Sequence, residues 1–550
     1  MNDELIARVG AWMAADPDEG DRATIQALLD AGDEGEIHRR FDEPLRFGTA
    51  GLRGPEMAGP AGMNRCTVRR ATQGVVAWLA EIGVDASAGV VVGRDARRGS
   101  EAFNDEVVAV LLGAGVVVHE MPRPLPTPLT AYCVSALSAA AGIMITASHN
   151  PPADNGYKLY GPDGSQIVPP HDEVVERHAH EATTATLGDR SSPLHHVVSE
   201  ELLEGYREHM LARFAVASSD LSLAYTPLHG VGGEEMAHLF ARAGFSNVAL
   251  VEEQMRPDPS FPGLPFPNPE EPGVLDAGIA RARASGATLL LANDPDADRL
   301  GAAVRAADGA WRVLRGDEIG WLLGSVALAE ARDGDIVATT IVSSSMLEKM
   351  AARAGVPYAT TLTGFKWITK AANGRRLAFG YEEALGYAVD PCVADKDGLS
   401  AALALARLAN DLARHGLTLI DRLDELEARY GVHAGAQLSL RVRAGGRAVL
   451  GEVMARVRST PPTTLGGVAL SEVIDLEQGY GGLAPTEGLL WRLGAAGRVV
   501  VRPSGTEPKL KAYIEVVGEP SSDDVAAQRE WASALLADIR ADLATLLALD

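Results

Sequence analysis

The sequence predicts an α/β protein of three similar α/β domains followed by a distinct, smaller α+β C-terminal domain. A recurring dipeptide carries the first part of this reading. Ala114-Gly115 precedes VVVHE, Ala243-Gly244 precedes FSNVALVE, and Ala354-Gly355 precedes VPYATTL. Each reads as a helix stopping on glycine and running into a strand. From about residue 436 the pattern changes. QLSLRVRA alternates as an exposed edge strand does, and the tail from Asp523 reads as a long amphipathic helix. A length of 550 residues, at roughly 150 per domain, also fits three or four domains. The boundaries fall near 205, 316 and 435, giving segments 1–205, 206–316, 317–435 and 436–550.

In chain order, 3–14 and 21–30 carry apolar residues at helical spacing, separated by the acidic break at 16–19. RFGTAGLRG at 46–54 sets three glycines around Arg53, a backbone suited to close approach of a ligand. Thr67 is the expected N-cap of a helix from Val68 to about Ile82. A strand at Gly89–Val92 leads through GRDARRGS to a helix starting near Ser100, with Arg97 and Arg98 readable as a solvated basic turn. Val107 to Val118 is a buried helix running into a strand, too short to span a bilayer. PRPLPTP at 122–128 and RPDPSFPGLPFPNPEEPG at 256–273 read as rigid ordered loops. His171, His178 and His180 sit in helix-like, acidic surroundings and read as a solvated face.

Composition narrows the function. A net charge of −24 repels nucleic acid and anionic membranes, so any phosphate site must be built from locally clustered cations. The three cysteines, Cys66, Cys133 and Cys392, are far apart and read as reduced thiols of a cytoplasmic protein. The acidic start at Asp3 and Glu4 is unlike a secretory signal. No GxSxG elbow surrounds any serine considered below, and no Walker loop or GxGxxG fingerprint is present.

Two stretches carry the chemistry. In IMITASHNPPADNGYKLY at 143–160, an apolar run ends, two prolines stiffen the chain, and Ser148, His149 and Asn150 lie at the junction. Asp154-Asn155-Gly156 is the expected turn before Lys158. In NDPDADR, Asp294, Asp296 and Asp298 alternate after the strand-like ATLLLAN. Close carboxylate pairs repel by about 4 kcal/mol at 4 Å and an effective dielectric of ~20, so the cluster calls for a cation. Mg²⁺ suits it, because it needs few protein oxygens and accepts a phosphate oxygen.

With GYEEALGY and RPSGTEPK, these segments resemble the α-D-phosphohexomutase superfamily of phosphoglucomutases and phosphomannomutases, in the family's order across nearly the whole chain. RFGTAGLRG and TGFKWI resemble its phosphoglucomutase-2/phosphopentomutase branch. The resemblance implies four domains around one deep cleft. It implies a phosphorylated Ser148 that, with Asp294, Asp296 and Asp298, binds Mg²⁺, and Arg53, His149 and Lys158 as catalytic residues. Lys158 would act as base, its proton loosened by burial beside Arg53 and other cations, or as a fixed charge steadying phosphate. Arg299 would reach the same phosphate, and GRDARRGS would lie close to the phosphoserine, with a solvated basic turn the other reading of Arg97 and Arg98. Thr363, Gly364, Lys366, Glu382 and Glu383 would bind the sugar, and Arg502, Ser504, Gly505, Thr506 and Lys509 the non-transferring phosphate.

The reaction so implied moves phosphate between the 1- and 6-positions of glucose or mannose through a sugar bisphosphate, which also serves as activator. Phosphopentomutase activity is the alternative; a sugar phosphatase and a non-catalytic phosphosugar sensor are weaker rivals. Partners would be small phosphosugars, with neither nucleic acid nor membrane, and the protein a monomer or small homo-oligomer.

Overall fold

The computed structural model describes residues 2–48, 51–182, 185–441, 446–504, 509–520 and 524–548. Two compact units emerge, Met1–Leu314 with Leu385–Asn410, and Arg315–Ala384 with Asp411–Asp550. Among the described residues no helix is long and apolar enough to cross a membrane.

The first unit opens with α1 (Asp3–Ala15), α2 (Glu19–Ala31) and α3 (Glu34–Phe41). The third helix was not expected; Asp33 caps it by accepting from the Glu36 N–H at 3.0 Å. Leu5, Val9, Trp12, Ile25, Ile37 and Phe41 form the core of this helical lead-in. There follow β1 (Leu52–Pro55), α4 (Arg65–Glu81), β2 (Val90–Arg94), α5 (Ser100–Gly113), β3 (Val118–Glu120), α6 (Thr127–Ala136), β4 (Ala141–Ile145), β5 (Asp154–Tyr160), α7 (His171–Glu181), β6 (His195–Val197) and α8 (Glu200–Phe214). The sheet runs β1-β5-β4-β2-β3-β6. Its inner strands are parallel, whereas β5 returns antiparallel to β4 and pairs with β1. All five residues of β4 are buried, as an interior parallel strand requires.

Two expectations are corrected here. The N-cap of α4 is Asn64, whose Oδ1 accepts from the Thr67 N–H at 2.8 Å, while Thr67 sits in the first turn. Asn64 also donates to the carbonyls of Met57 and Gly59, at 2.9 and 2.8 Å, which anchors the cap before the helix starts. Asp154-Asn155-Gly156 is no turn but the start of β5. Gly156 is there because the strands close in on it: a Cβ would lie 2.6 Å from the Thr146 carbonyl and 2.7 Å from that of Leu52.

The same unit continues with β7 (Leu223–Thr226), α9 (Gly232–Arg242), β8 (Val248–Leu250), α10 (Asp276–Ser285), β9 (Leu289–Asn293), β10 (Leu300–Arg305) and β11 (Trp311–Val313). The order is β11-β10-β9-β7-β8, with β7 parallel to β8 and β9, and β10 antiparallel to β9. Both sheets thus repeat one device. A fully buried parallel strand ends, a loop follows, and the next strand returns antiparallel. One loop carries Ser148 and the other the three aspartates.

In the second unit lie α11 (Gly316–Ala329), β12 (Asp335–Thr340), α12 (Met346–Ala354), β13 (Tyr358–Thr361), α13 (Phe365–Lys370) and β14 (Arg376–Glu382), with β12 parallel to both of its neighbours. β15 (Gly386–Ala388) and the first part of α14 (Gly398–Ala413) belong to the first unit. The glycines of the recurring dipeptide, Gly115, Gly244 and Gly355, have φ of 77°, 90° and 70°, the left-handed stop that was expected.

The chain ends with α15 (Leu419–Tyr430), β16 (His433–Arg441), α16 (Gly446–Ser459), β17 (Thr464–Leu465), β18 (Val468–Ala469), β19 (Glu472–Asp475), β20 (Leu489–Arg492), β21 (Gly497–Pro503), β22 (Lys509–Val517) and α17 (Val525–Leu546). Its antiparallel sheet is ordered β16-β22-β21-β20-β19, so β16 is an edge, and its burial alternates from Gln437 to Arg441. Leu535, Ile539 and Leu543 of α17 pack with Trp491, Val499 and Ile514 of the sheet. The chain therefore has three α/β domains and a distinct α+β domain.

Candidate active site

Ser148 follows β4 and takes φ 53°, a left-handed conformation that costs a non-glycine residue of order 1 kcal/mol or more. The strain aims its side chain at the second sheet. Ser148 Oγ donates to Asp294 Oδ2 at 2.6 Å and lies 3.0 Å from His149 Nδ1. Its own N–H is held by Thr146 Oγ1 at 2.8 Å. Ala297, in the aspartate loop, is left-handed too, at φ 55°.

Asp294, Asp296 and Asp298 are fully buried, and each offers an oxygen within 4.8 Å of the others'. Lys158, itself fully buried on β5, donates through Nζ to Asp296 Oδ2 at 2.6 Å and Asp298 Oδ2 at 2.5 Å. Lys396 reaches Asp298 Oδ2 at 2.8 Å, and the Thr127 hydroxyl reaches Asp296 Oδ2 at 2.6 Å. These partners hold the Asp298 carboxyl well below its usual range, although burial alone would raise it. Asp294 goes the other way, pushed well above that range by burial and by the two neighbouring carboxylates. The neighbours of Lys158 Nζ are thus anions, where the sequence reading placed cations.

The donor set fits a hard divalent cation. The Oδ1 atoms of Asp296 and Asp298 are buried without a hydrogen-bond partner, a costly arrangement unless something else satisfies them. Three carboxylates meet there, and among the described residues no sulfur or nitrogen ligand joins them, as Mg²⁺ prefers.

Around this centre, His149 is 13% exposed at its side chain, and burial with Arg299 and Arg53 nearby holds the imidazole well below its usual pKa. Arg53 on β1 points its Nη1 to Asn150 Oδ1 at 3.5 Å, and burial lowers its pKa despite the charges of Asp296 and Asp298. The Arg299 backbone N–H donates to Asp294 Oδ1 at 3.0 Å. Seven of the expected residues therefore converge with Ser148 in the first unit.

The expected residues of the second unit fall into two groups. Glu382 accepts from the Gly364 N–H at 2.8 Å, beside the half-buried Thr363 and the buried Lys366 of α13. Glu383 accepts from the Ser343 and Thr340 hydroxyls at 3.0 and 3.3 Å. Burial, then Glu382 and Asp317, push its carboxyl up to about 7. Arg502, Ser504 and Lys509 sit at the closed end of the β21–β22 hairpin, where the Ser504 N–H donates to the Lys509 carbonyl at 2.8 Å. Gly505 and Thr506 lie outside the described residues.

Two residues escaped the sequence reading. Lys396 lies in DKDG ahead of α14, and Thr127 opens α6 within the proline-rich PRPLPTP. Of the two readings of GRDARRGS, Arg98 keeps the solvated one, whereas Arg97, 4% exposed, lies beside the Ser148 loop. Its guanidinium donates to the carbonyls of Ser148 and Asn150 at 2.6 Å, Pro151 at 2.8 Å and Asp154 at 3.0 Å. One fork grips the whole Ser148 loop.

The chain matches known proteins along its length. Residues 44–186, 204–309 and 315–430 match the α/β/α domains I, II and III of phosphoglucomutase/phosphomannomutase, and 454–530 match its C-terminal domain. A Haemophilus influenzae protein named "Probable phosphomannomutase" is 38% identical, covering 84% of this chain and 94% of its own. A phosphopentomutase of Mus musculus is 33% identical, covering 95% of this chain and 92% of its own. A solved phosphoglucomutase/phosphomannomutase family protein of Burkholderia thailandensis shares the fold with a TM-score of 0.69 at 22% identity, over 91% of this chain and 97% of its own.

Proposed function

The chain belongs to the phosphoglucomutase/phosphomannomutase family of phosphosugar mutases, and from that premise we propose that it exchanges phosphate between the 1- and 6-positions of a hexose through phospho-Ser148. The observation that carries this is the 2.6 Å contact of Ser148 Oγ with Asp294 inside a buried triple-carboxylate site. In the first transfer the sugar hydroxyl oxygen bonds to phosphorus, the Ser148 Oγ–P bond breaks, and the hydroxyl's proton ends on Ser148 Oγ; in the second, Ser148 Oγ bonds to phosphorus, the other sugar O–P bond breaks, and the Oγ proton ends on the sugar oxygen. Neutral His149, whose Nδ1 lies 3.0 Å from Oγ, is placed to hold that proton on its way. A sugar bisphosphate is the product of the first transfer and the donor for the second.

Asp294, Asp296 and Asp298 would hold Mg²⁺, which would withdraw charge from the phosphoryl group. Lys158 and Lys396 neutralise the same carboxylates from the protein side, so Lys158 is assigned a fixed charge in place of a base. Arg502, Ser504 and Lys509 are the assigned grip on the passive phosphate, and Glu382, Glu383, Thr363, Gly364 and Lys366 that on the sugar.

Glu383 makes this assignment testable by pH. As a carboxylate it accepts from sugar hydroxyls; protonated, it loses that capacity. Its carboxyl is pushed up to about 7, so the KM for sugar phosphate is expected to rise as pH falls below that value. The rise is up to about tenfold per unit if binding requires the ionised form. Glu383→Gln should flatten this limb, leaving only the titration of the substrate's own phosphate. An identical profile in the variant would remove Glu383 from the sugar site.

A second reading, exchange between the 1- and 5-positions of a pentose, is favoured by Ala384, which follows the two glutamates where many phosphoglucomutases carry serine. Losing one neutral hydroxyl contact is worth about 0.5–1.5 kcal/mol, enough to loosen discrimination but not to abolish it. Glucose, mannose, glucosamine, ribose and deoxyribose 1-phosphates, assayed with trace bisphosphate, are expected to include more than one substrate. Ala384→Ser should shift the kcat/KM ratios several-fold. A strictly specific wild type with ratios unmoved by Ala384→Ser would show that this position does not set specificity.

A further inference from the structure

The proline-rich stretch 256–273 meets the Ser148 loop at His149, and also meets Arg97 and Arg299, two cations of the same site. Phe261 holds φ 44°, a strained conformation for an aromatic residue, and is buried with Leu228, Leu264 and Val274 in a small core of its own. Its ring lies 5.0 Å under the guanidinium of Arg97, the group that grips four carbonyls around Ser148. Phe266 meets the His149 ring edge-on, with centroids 5.9 Å apart and planes at 71°. Glu270 lies 3.7 Å from Arg299 Nη1. The stretch is itself fixed: Pro267, Asn268 and Pro269 are buried, and the Asp258 N–H donates to the His229 carbonyl at 3.0 Å. Leu228 and His229 are left-handed, at φ 50° and 59°, as are Ser148 and Ala297. Such strain persists where the surroundings over-determine a backbone.

We propose that residues 256–273 form a strap whose Phe261 and Phe266 are positioning residues for Ser148, acting through Arg97 and His149, so that transfer goes to sugar and not to water. The proposal rests on Ser148 carrying the phosphoryl group. The leak it suppresses is hydrolysis: a water oxygen bonds to phosphorus, the Oγ–P bond breaks, Oγ regains a proton, and inorganic phosphate leaves.

Phe266→Leu and Phe261→Leu keep apolar bulk and remove the ring. Each is expected to lower kcat about tenfold or more, as small misplacements of reacting groups do, with KM within about twofold. After loading with a sugar 1,6-bisphosphate, the phosphate on Ser148, followed by intact mass without sugar, should be lost several-fold faster than in wild type. Phe266→Tyr keeps the edge-on ring and should restore both readouts, which a loss of general stability would not do. Should Phe261→Leu fail to fold, the half-buried Phe266 decides alone. A phosphorylated wild type whose leucine variants match it in kcat and in phosphoserine lifetime would overturn the strap. A wild type that never acquires phosphate on Ser148 would instead overturn the reading beneath it.

Discussion

Replacing Ser148 by alanine is expected to remove turnover by several orders of magnitude, about the scale seen when a covalent nucleophile is deleted. The fold should survive the change. Ser148 is left-handed, and Ala297 occupies the same conformation at φ 55° in the facing loop, so the backbone tolerates alanine there. The loop is held mainly by Arg97 through main-chain carbonyls, and the substitution leaves these contacts untouched. The lost hydrogen bond to Asp294 should cost only about 1 kcal/mol of stability. Binding of a sugar monophosphate, measured by calorimetry, should therefore persist while kcat collapses. Intact mass after exposure to bisphosphate should show one phosphate on wild type and none on the variant. Substantial turnover by Ser148→Ala would move the carrier elsewhere.

The chemistry was legible in the sequence where it is written locally. Alternating aspartates after an apolar strand, and a serine between an apolar run and two prolines, define their loops within a few residues, and the structure puts those loops face to face. Pairing across the chain was not legible. Lys158 was read beside cations because Arg53 belongs to the same set of motifs, yet its partners Asp296 and Asp298 are more than a hundred residues away. Arg97 and Arg98 are indistinguishable as letters, and only the tertiary position of the Ser148 carbonyls sends one inward. Gly156 misled for a related reason. Asp-Asn-Gly favours turns locally, but here the glycine answers to two neighbouring strands. Lys396 had no local signal beyond DKDG before a helix.

Chelation with EDTA is expected to abolish activity and added Mg²⁺ to restore it, and Asp296→Asn separates two accounts of the carboxylate cluster. If the three aspartates were simply crowded like charges, at about 4 kcal/mol per close pair, neutralising one would stabilise the metal-free protein. The geometry predicts the opposite sign. Lys158 is wholly buried and its ammonium is shared between Asp296 and Asp298; Lys396 adds a second charge on Asp298. Removing Asp296 leaves a buried cation with one partner fewer, and breaking a buried pair costs roughly 3–5 kcal/mol. The Thr127 hydroxyl would lose its charged acceptor as well. In EDTA the variant should therefore melt several degrees below wild type, and in saturating Mg²⁺ it should turn over at least about a hundredfold more slowly. Full activity of wild type in excess EDTA would remove the cation from the mechanism. An Asp296→Asn protein that melts above wild type in EDTA would show that repulsion, not the Lys158 pair, governs the empty cluster.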